Sequence, residues 1–247
     1  MLRLLPCLQA DGPTQMVTDE ALLEAALTPT LRLYRWLPAT VSLGYFQDFA
    51  TISAQLPRID GQLPPIVRRI TGGGAIWHEH EATYSLVATL GSDGIPDRVR
   101  DIYPLLHAAV LAGLSSRVAT LRRQQVAQGD RRYAEEPRCF ASPAADDLVT
   151  ADGAKVLGSA ARVRGRQVLV HGSLKLASNP WDGEHVVGCG LSFDQAAAVI
   201  IEACRQALGT TLGDGELTPG EMALRERIHH ARYADRKWVE QRLGPRP

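Results

Sequence analysis

The chain has no excess of either charge. Its 247 residues include 27 lysines and arginines and 27 aspartates and glutamates, so the formal net charge is zero. Broad electrostatic binding to nucleic acid or to an anionic membrane surface needs a basic excess. The balance therefore argues against both kinds of partner, although it leaves room for a local positive patch.

Long apolar runs are also missing. No stretch approaches the roughly 18 apolar residues of a membrane span. The N-terminal sequence MLRLLPCLQADGPTQM has an apolar run too short for a signal peptide, and a proline interrupts it. We expect a soluble, cytoplasmic protein.

Cysteine is scarce, and no two cysteines form a C-x-x-C pair, which argues against a structural zinc site. A disulfide framework is not expected in a chain of this size without an export signal. The thiols Cys7, Cys139, Cys189 and Cys204 therefore have to be considered singly. Cys7 falls in a predicted strand, Cys204 on the apolar face of a predicted helix and Cys189 in an uncharged turn, so we expect these three to be structural.

Strands and helices are predicted to be mixed along the chain. The strand-like runs are LRLLPCL, LRLYRWL, TVSLGYF, PIVRRI and ATYSLVATL, and the charge-dense run LRRQQVAQGDRRYAEEPR is typical of an exposed, mobile loop. Residues 146–176 then predict two or three antiparallel strands, with turns at Asp152–Gly153 and near Arg164–Gly165.

Four helices are predicted from apolar spacing. They cover residues 18–27, residues 99–114, SFDQAAAVIIEACRQAL with Ser192 as its cap, and TPGEMALRERIHHARYADRKWV with Pro219 in its first turn. Because strands and helices do not alternate regularly, we expect an α/β (α+β) fold with a mixed, largely antiparallel sheet flanked by helices. Residues 1–247 are expected to form one domain whose C-terminal part, about 192–240, is helical.

A binding loop is indicated by RRITGGGAIWHEHEATYS, residues 68–85. Glycine lets a ligand approach the backbone closely, because no Cβ is in the way. The arginines Arg68 and Arg69 favour an anionic or strongly polar group nearby. In a strand only one of two neighbouring side chains faces a given side, so the sequence leaves open which arginine faces the ligand.

Three blocks, RRITGGGAIWH, PRCFASPAADDLV and GAKVLGSAARVRGRQVLVHGSL, occur together and in this order. With DEALL and TVSLGYFQ before them, the sequence resembles the lipoate-protein ligase and octanoyltransferase superfamily over most of its length. The resemblance implies a fold like that of biotin and lipoate protein ligases. It also implies an enzyme that places a C8 acyl group on a lysine of a lipoyl domain, and the cysteine-dependent octanoyltransferases are the most similar class.

Two catalytic residues follow from the resemblance. Lys155, in G-x-K-x-x-G-S-A, matches the lysine that stabilises charge developing at the reacting carbonyl. Cys139, in CFASPAADDLV, matches the thiol that carries the acyl group as a thioester, and Lys155 or the adjacent Arg138 would favour its thiolate. Without the flanking motifs, Lys155 would be interpreted as a solvated strand lysine and Cys139 as a small buried residue.

The resemblance also implies a substrate pocket. The residues expected to bind the acyl group and its carbonyl end are Arg68, Arg69, Gly72, Gly73, Gly74, His78, Gly158, Ser159, Ala160, His171 and Gly172. His171 is a lining residue or a general base under this hypothesis, with a buried histidine bonded to backbone as the alternative. His78 and His80 alternate as metal ligands can, but the pattern is weak and we expect no metal.

Three functions remain open at this stage. A cysteine-dependent octanoyltransferase would need no cofactor, with octanoyl-acyl carrier protein as donor and apo lipoyl domains of glycine cleavage H protein or dehydrogenase E2 subunits as acceptors. An ATP-dependent lipoate ligase would need ATP and Mg²⁺, and TGGGA resembles the ligases, whereas HEATYS resembles the transferases. A non-catalytic acyl-binding protein is the third possibility, but it would not need Lys155.

Overall fold

A computed structural model describes residues 1–118, 120–128, 132–183 and 186–243. Its strands are β1 (Leu2–Leu4), β2 (Leu8–Ala10), β3 (Thr30–Trp36), β4 (Thr40–Leu43), β5 (Ile66–Arg68), β6 (Ile76–His78), β7 (Glu81–Thr89), β8 (Arg122–Arg123), β9 (Leu148–Val149), β10 (Lys155–Arg164), β11 (Gln167–Lys175) and β12 (Leu212–Asp214). Its helices are α1 (Gly12–Ala25), α2 (Phe49–Gln55), α3 (Ile102–Leu114), α4 (Phe193–Ala207), α5 (Pro219–Ile228) and α6 (Arg236–Gln241).

The strands form a large and a small sheet. The large sheet has the order β12-β1-β3-β7-β11-β10-β9-β8, with β2 beside β3, and the small sheet has the order β5-β4-β6. The pairs from β3 through β7, β11, β10 and β9 to β8 are antiparallel, whereas β1, β2 and β12 join in parallel. The predicted mixed, largely antiparallel sheet with flanking helices is therefore confirmed.

The two faces of the large sheet differ in chemistry. One face buries apolar side chains such as Leu86 and Val170 against α3 and α4. Because side chains alternate along a strand, the neighbouring residues Ser85 and His171 turn to the opposite face, beneath α1. This second face is buried and carries polar groups, and the candidate site lies on it.

Two helices differ from their predicted bounds. Helix α1 starts at Gly12, six residues before the predicted start, because the Asp11 side chain accepts from Thr14 N at 2.9 Å and caps it. The predicted last helix is divided into α5, a π-helical turn at His229–Tyr233 and α6. After the π-helical turn, Asp235 caps the start of α6, because its carboxylate accepts from Lys237 N at 2.8 Å.

Two further points concern Cys7 and membranes. The predicted strand LRLLPCL is confirmed at Leu2–Leu4, which form β1, but it does not include Cys7, which is exposed and lies between β1 and β2. Within the described ranges, no helix has both the length and the apolar character that a membrane crossing demands.

Candidate active site

A cavity with about 510 Å³ of empty space, including its mouth, lies over the polar face of the large sheet. Apolar parts of its wall come from Met16, Trp36 and Ile76. The predicted site residues that line it are Arg69, Gly73, His78, Cys139, Lys155, Gly158, Ser159, Ala160, His171 and Gly172. Gly72, Gly74 and Arg68 are not among its lining residues. The structure thus brings most of the predicted set to one place.

Cys139 and Lys155 meet at the cavity wall. Lys155 Nζ lies 3.3 Å from Cys139 Sγ and 2.8 Å from Asp147 Oδ2. Burial by itself lowers the pKa of Lys155, but the Asp147 carboxylate, followed by Cys139 and Tyr133, outweighs it and raises that pKa. The ammonium therefore stays charged and donates to the sulfur.

Backbone hydrogen bonds join the end of the glycine loop, Gly72–Gly74, to the segment around Cys139. Ala75 N donates to Pro137 O at 2.8 Å, and Cys139 N donates to Ala75 O at 2.9 Å. A Cβ on Gly74 would lie 2.8 Å from Cys139 N and 2.5 Å from the Tyr133 ring. Glycine is therefore needed at this position for the loop to approach the thiol so closely.

Arg68 and Arg69 point in different directions, which answers the question that the sequence left open. Arg69 lines the cavity, but its guanidinium donates to Ser42 O and Oγ, to Gly72 O and Gly74 O, and weakly to Thr71 Oγ1, at 2.7 to 3.4 Å. Its donors are therefore occupied in holding the glycine loop. Arg68 lies outside the cavity wall.

The guanidinium of Arg68 is bound by backbone carbonyls on another side of the loop. It donates to Gly44 O, Tyr45 O, Gln47 O and Val239 O at 2.6 to 3.1 Å. Charge-assisted bonds of this kind fix the chain before α2 to the C-terminal helix α6. Arg68 therefore holds parts of the backbone together and does not line the cavity.

His78 is buried in a polar chain that reaches Arg69. Its Nδ1 is bonded to Glu81, a carboxylate that can only accept, so Nδ1 carries the proton. Its Nε2 then accepts from Ser42 Oγ at 2.6 Å, and its ring stacks on Trp36 with centroids 3.8 Å apart. Burial lowers the pKa of His78 against the opposing effect of Glu81, which keeps the ring neutral.

His171 has a parallel arrangement. Its Nδ1 lies 3.3 Å from Asp19 Oδ2 and its Nε2 lies 2.7 Å from Thr71 Oγ1. Burial lowers the pKa of His171, although the hydrogen bond to Asp19 opposes this. A neutral ring that donates to Asp19 and accepts from Thr71 satisfies both contacts. Arg69 therefore connects two histidines through the hydroxyls that they bind.

The other thiols are remote from the cavity. All four cysteines lie in the described ranges, and Cys139 alone lines the cavity. Burial raises the pKa of Cys204 to about 12, and burial also raises the pKa of the half-buried Cys189. In the described residues, no three His, Cys, Asp or Glu side chains are grouped as a metal site requires. His80 is exposed, whereas His78 is buried.

Sequence reasoning missed several groups at the site. Asp147 belongs to the quoted block AADDLV, but only its contact with Lys155 reveals it. Tyr133 lines the cavity although its segment is predicted to be an exposed loop, and burial raises its pKa to about 12. Residues 129–131 of that segment lie outside the described ranges. Asp19 lies inside a predicted helix and Glu81 directly precedes the predicted strand ATYSLVATL, and a charged residue next to such apolar patterns is a signal that could have found them.

Comparison with known proteins agrees with the geometry. The chain is 32% identical to octanoyltransferase LipM of Moorella thermoacetica, over 97% of this chain and 98% of that protein. It is also 32% identical to octanoyltransferase LipM of Brevibacillus brevis, over 90% of this chain and 92% of that protein. Both relatives therefore match the chain over nearly their whole length.

Solved structures show the same fold. Lipoate-protein ligase A bound with ATP has a TM-score of 0.76 at 20% identity, covering 98% of this chain and 100% of that one. The bi-partite lipoate protein ligase from Thermoplasma acidophilum has a TM-score of 0.73 at 20% identity, covering 98% and 96%. The model of the lipoyl protein ligase A/B catalytic domain matches residues 11–203. The chain therefore belongs to the lipoyl protein ligase A/B catalytic domain family.

Proposed function

We propose that the protein transfers an octanoyl group from octanoyl-acyl carrier protein to a lysine of a lipoyl domain through a thioester on Cys139. The observation that carries this proposal is the 3.3 Å separation of Lys155 Nζ and Cys139 Sγ in the wall of one cavity. The two relatives named octanoyltransferase, similar over nearly their whole length, support the same reaction.

In the first half-reaction, the Cys139 thiolate attacks the thioester carbonyl of the donor. A carbon–sulfur bond forms to Cys139, and negative charge develops on the carbonyl oxygen. The donor thiolate then leaves and takes up a proton. The Lys155 ammonium provides fixed positive charge for the attacking sulfur and for the developing oxyanion, and burial strengthens both interactions.

In the second half-reaction, the neutral amine of the acceptor lysine attacks the Cys139 thioester. A carbon–nitrogen bond forms, the nitrogen loses a proton and the Cys139 thiolate departs, which leaves an amide on the acceptor. A thiol suits both steps, because it is nucleophilic when the acyl group arrives and a good leaving group when it departs.

The acyl chain is proposed to lie in the cavity. Met16, Trp36 and Ile76 give apolar surface, and Gly73, Gly158 and Gly172 lining the same wall expose backbone at which a chain can pack closely. The remaining predicted contacts of Ser159, Ala160, His78 and His171 with substrate stay predictions. Arg69 supports this wall by holding the loop, rather than by offering unused donors.

The transferase reaction needs neither ATP nor Mg²⁺, because the donor thioester is already activated. Apo lipoyl domains, such as those of glycine cleavage H protein or dehydrogenase E2 subunits, are the proposed acceptors. The alternative is a ligase that activates free lipoate or octanoate with ATP, and lipoate-protein ligase A shares this fold. Fold alone does not favour it, because at 20% identity a neighbour's chemistry does not transfer.

The deciding experiment supplies the protein and an apo lipoyl domain with octanoyl-acyl carrier protein alone, or with octanoate, ATP and Mg²⁺. Intact-mass spectrometry measures octanoylation of the acceptor. We expect modification in the first reaction only. Modification in the second reaction only would establish the ligase instead, and modification in neither would favour an acyl-binding protein.

A further inference from the structure

A buried line of polar groups runs behind the cavity wall, from the sheet to α3. Tyr84 OH lies 2.7 Å from Ser159 Oγ, and Ser159 Oγ lies 2.7 Å from His107 Nε2. On the far side of the ring, His107 Nδ1 lies 2.8 Å from Asp146 O. His107 and Tyr84 are each 1% exposed and neither lines the cavity, so substrate does not reach them there.

The direction of each hydrogen bond follows from the acceptor at one end. Asp146 O is a backbone carbonyl and can only accept, so His107 Nδ1 carries the proton. Burial lowers the pKa of His107, which favours the neutral ring whose Nε2 accepts from the Ser159 hydroxyl. Ser159 Oγ then accepts from Tyr84 OH. One arrangement of protons satisfies all three contacts.

Asp146 holds a backbone position that needs this support. Its φ is +70°, in the left-handed region that costs energy for any residue with a side chain. Its N–H donates to Gln124 O at 2.8 Å, and its carbonyl accepts from His107. The peptide between Asp146 and Asp147 is therefore fixed at its oxygen by a side chain of α3.

That peptide leads directly into the Asp147 side chain. Asp147 Oδ2 accepts from Ala144 N at 2.6 Å and lies 2.8 Å from Lys155 Nζ, which in turn lies 3.3 Å from Cys139 Sγ. A rotation of the preceding peptide would displace the carboxylate and, with it, the ammonium. Displacements of about 1 Å near reacting groups cost on the order of 100-fold in rate.

We propose that His107 is a positioning residue which, through its Nδ1–H bond to the Asp146 carbonyl, holds the Asp147–Lys155 pair in place beside Cys139. The proposal rests on the acyl transfer proposed above. It assigns the essential contact to Nδ1, and it treats the Nε2 contact with Ser159 as secondary. The two contacts can be tested separately, because an asparagine amide can replace Nδ1 and a glutamine amide can replace Nε2.

The experiment compares His107→Asn, His107→Gln and His107→Leu with the wild type. The Asn amide nitrogen occupies the place of Nδ1 and can still donate to Asp146 O, whereas the Gln amide reaches the place of Nε2 and Leu replaces neither nitrogen. Tyr84→Phe is the matched control, because it removes a buried hydroxyl from the same line and leaves the Asp146 contact intact. Each protein is mixed with octanoyl-acyl carrier protein, and acylation of Cys139 is followed in a single turnover at several donor concentrations. Thermal unfolding measures how each variant folds.

We expect His107→Asn and Tyr84→Phe to acylate within about threefold of the wild-type rate. His107→Gln and His107→Leu should be slower by on the order of 10- to 100-fold at saturating donor, with the half-saturating donor concentration unchanged. Equal rates for Asn and Gln, or losses that follow the unfolding temperature across all variants, would overturn the proposal. If His107→Leu does not fold, the acylation rates of His107→Asn and His107→Gln still test the proposal by themselves. A wild-type protein that forms no thioester would instead contradict the proposed function.

Discussion

Gly158 lies directly against the side chain of Lys155. A Cβ on Gly158 would come within 2.6 Å of Lys155 Nζ and 3.2 Å of Asp147 Oδ1. The glycine three residues after the lysine therefore leaves the space in which the ammonium sits, and this gives a physical reason for the spacing K-x-x-G.

Gly158→Ala is expected to lower acyl transfer on the order of 100-fold while the fold remains intact. The methyl group meets the flexible end of a lysine, which can move aside, so the cost falls on the position of the ammonium rather than on the backbone. The measurement is the single-turnover acylation rate together with the unfolding temperature. Gly220→Ala is the matched control, since a Cβ there meets only Thr218 Oγ1 at 4.0 Å. Wild-type turnover by Gly158→Ala would contradict the placement of Lys155.

Cys139 is expected to gain one octanoyl group from octanoyl-acyl carrier protein when no acceptor is present. Neutral hydroxylamine should release the label, as it does for a thioester. Cys139→Ala should gain none, and Cys139→Ser should retain the group as a stable ester, because an alkoxide leaves less readily than a thiolate. Cys7→Ala is the control, since Cys7 is exposed and outside the cavity. If Cys139→Ala still modifies the acceptor from octanoate and ATP at the wild-type rate, the thiol is a packing residue.

Arg69→Lys is expected to destabilise the protein and to slow acylation together. Lysine keeps the charge but replaces a planar fork, which reaches Ser42, Gly72 and Gly74, with a single ammonium. Each lost hydrogen bond to a charged group is worth about 1.5–3 kcal/mol, so unfolding should require several kcal/mol less. Denaturant unfolding and the acylation rate provide the measurements. Arg98→Lys, in an exposed 2.8 Å pair with Asp101, should change neither quantity. Unchanged stability and rate in Arg69→Lys would show that the planar guanidinium of Arg69 is dispensable.

Most strands and helices are predicted from the sequence, because the periodicity of apolar residues determines which of the two forms. The antiparallel hairpin of β10 and β11 was predicted from its turn at Arg164–Gly165, and α4 was predicted with its cap at Ser192. The start of α1 was missed because the capping Asp11 precedes the apolar pattern. The π-helical turn after α5 has no local signal that separates it from a helix. The expectation that residues 1–247 form one domain stays a prediction.

The sequence predicts residues of the candidate site only where they belong to a recognisable motif. Cys139 and Lys155 were predicted from such blocks, and they meet in the structure. Asp147 contacts Lys155, and His107 contacts the Asp146 carbonyl from α3, but none of the quoted motifs predicts either contact. Arg68 and Arg69 show the same limit, because alternation along a strand separates their directions without telling which one faces the cavity.

Asp147→Asn tests whether the carboxylate keeps Lys155 charged. In the wild type, burial lowers the pKa of Lys155, and Asp147 is the largest effect that raises it. A lysine whose pKa is raised in the folded protein contributes stability below its unfolded pKa, and it loses that contribution only as the pH rises through the folded pKa. The wild type should therefore show no loss of rate or stability from this lysine between about pH 7 and pH 10, since the unfolded pKa is about 10.4.

Asparagine removes the charge and leaves burial unopposed by that carboxylate, so the pKa of Lys155 falls and the ammonium is lost at lower pH. We expect Asp147→Asn to show an alkaline fall in acylation rate within about pH 7–10, together with a rate loss on the order of 10-fold at neutral pH. The measurement is the pH dependence of single-turnover acylation. Asp182→Asn is the matched control, because Asp182 forms a 2.6 Å pair with the buried Lys175 outside the cavity wall. It should lower the unfolding temperature without changing the shape of the pH profile. Identical profiles for Asp147→Asn and the wild type would mean that Asp147 does not keep Lys155 protonated.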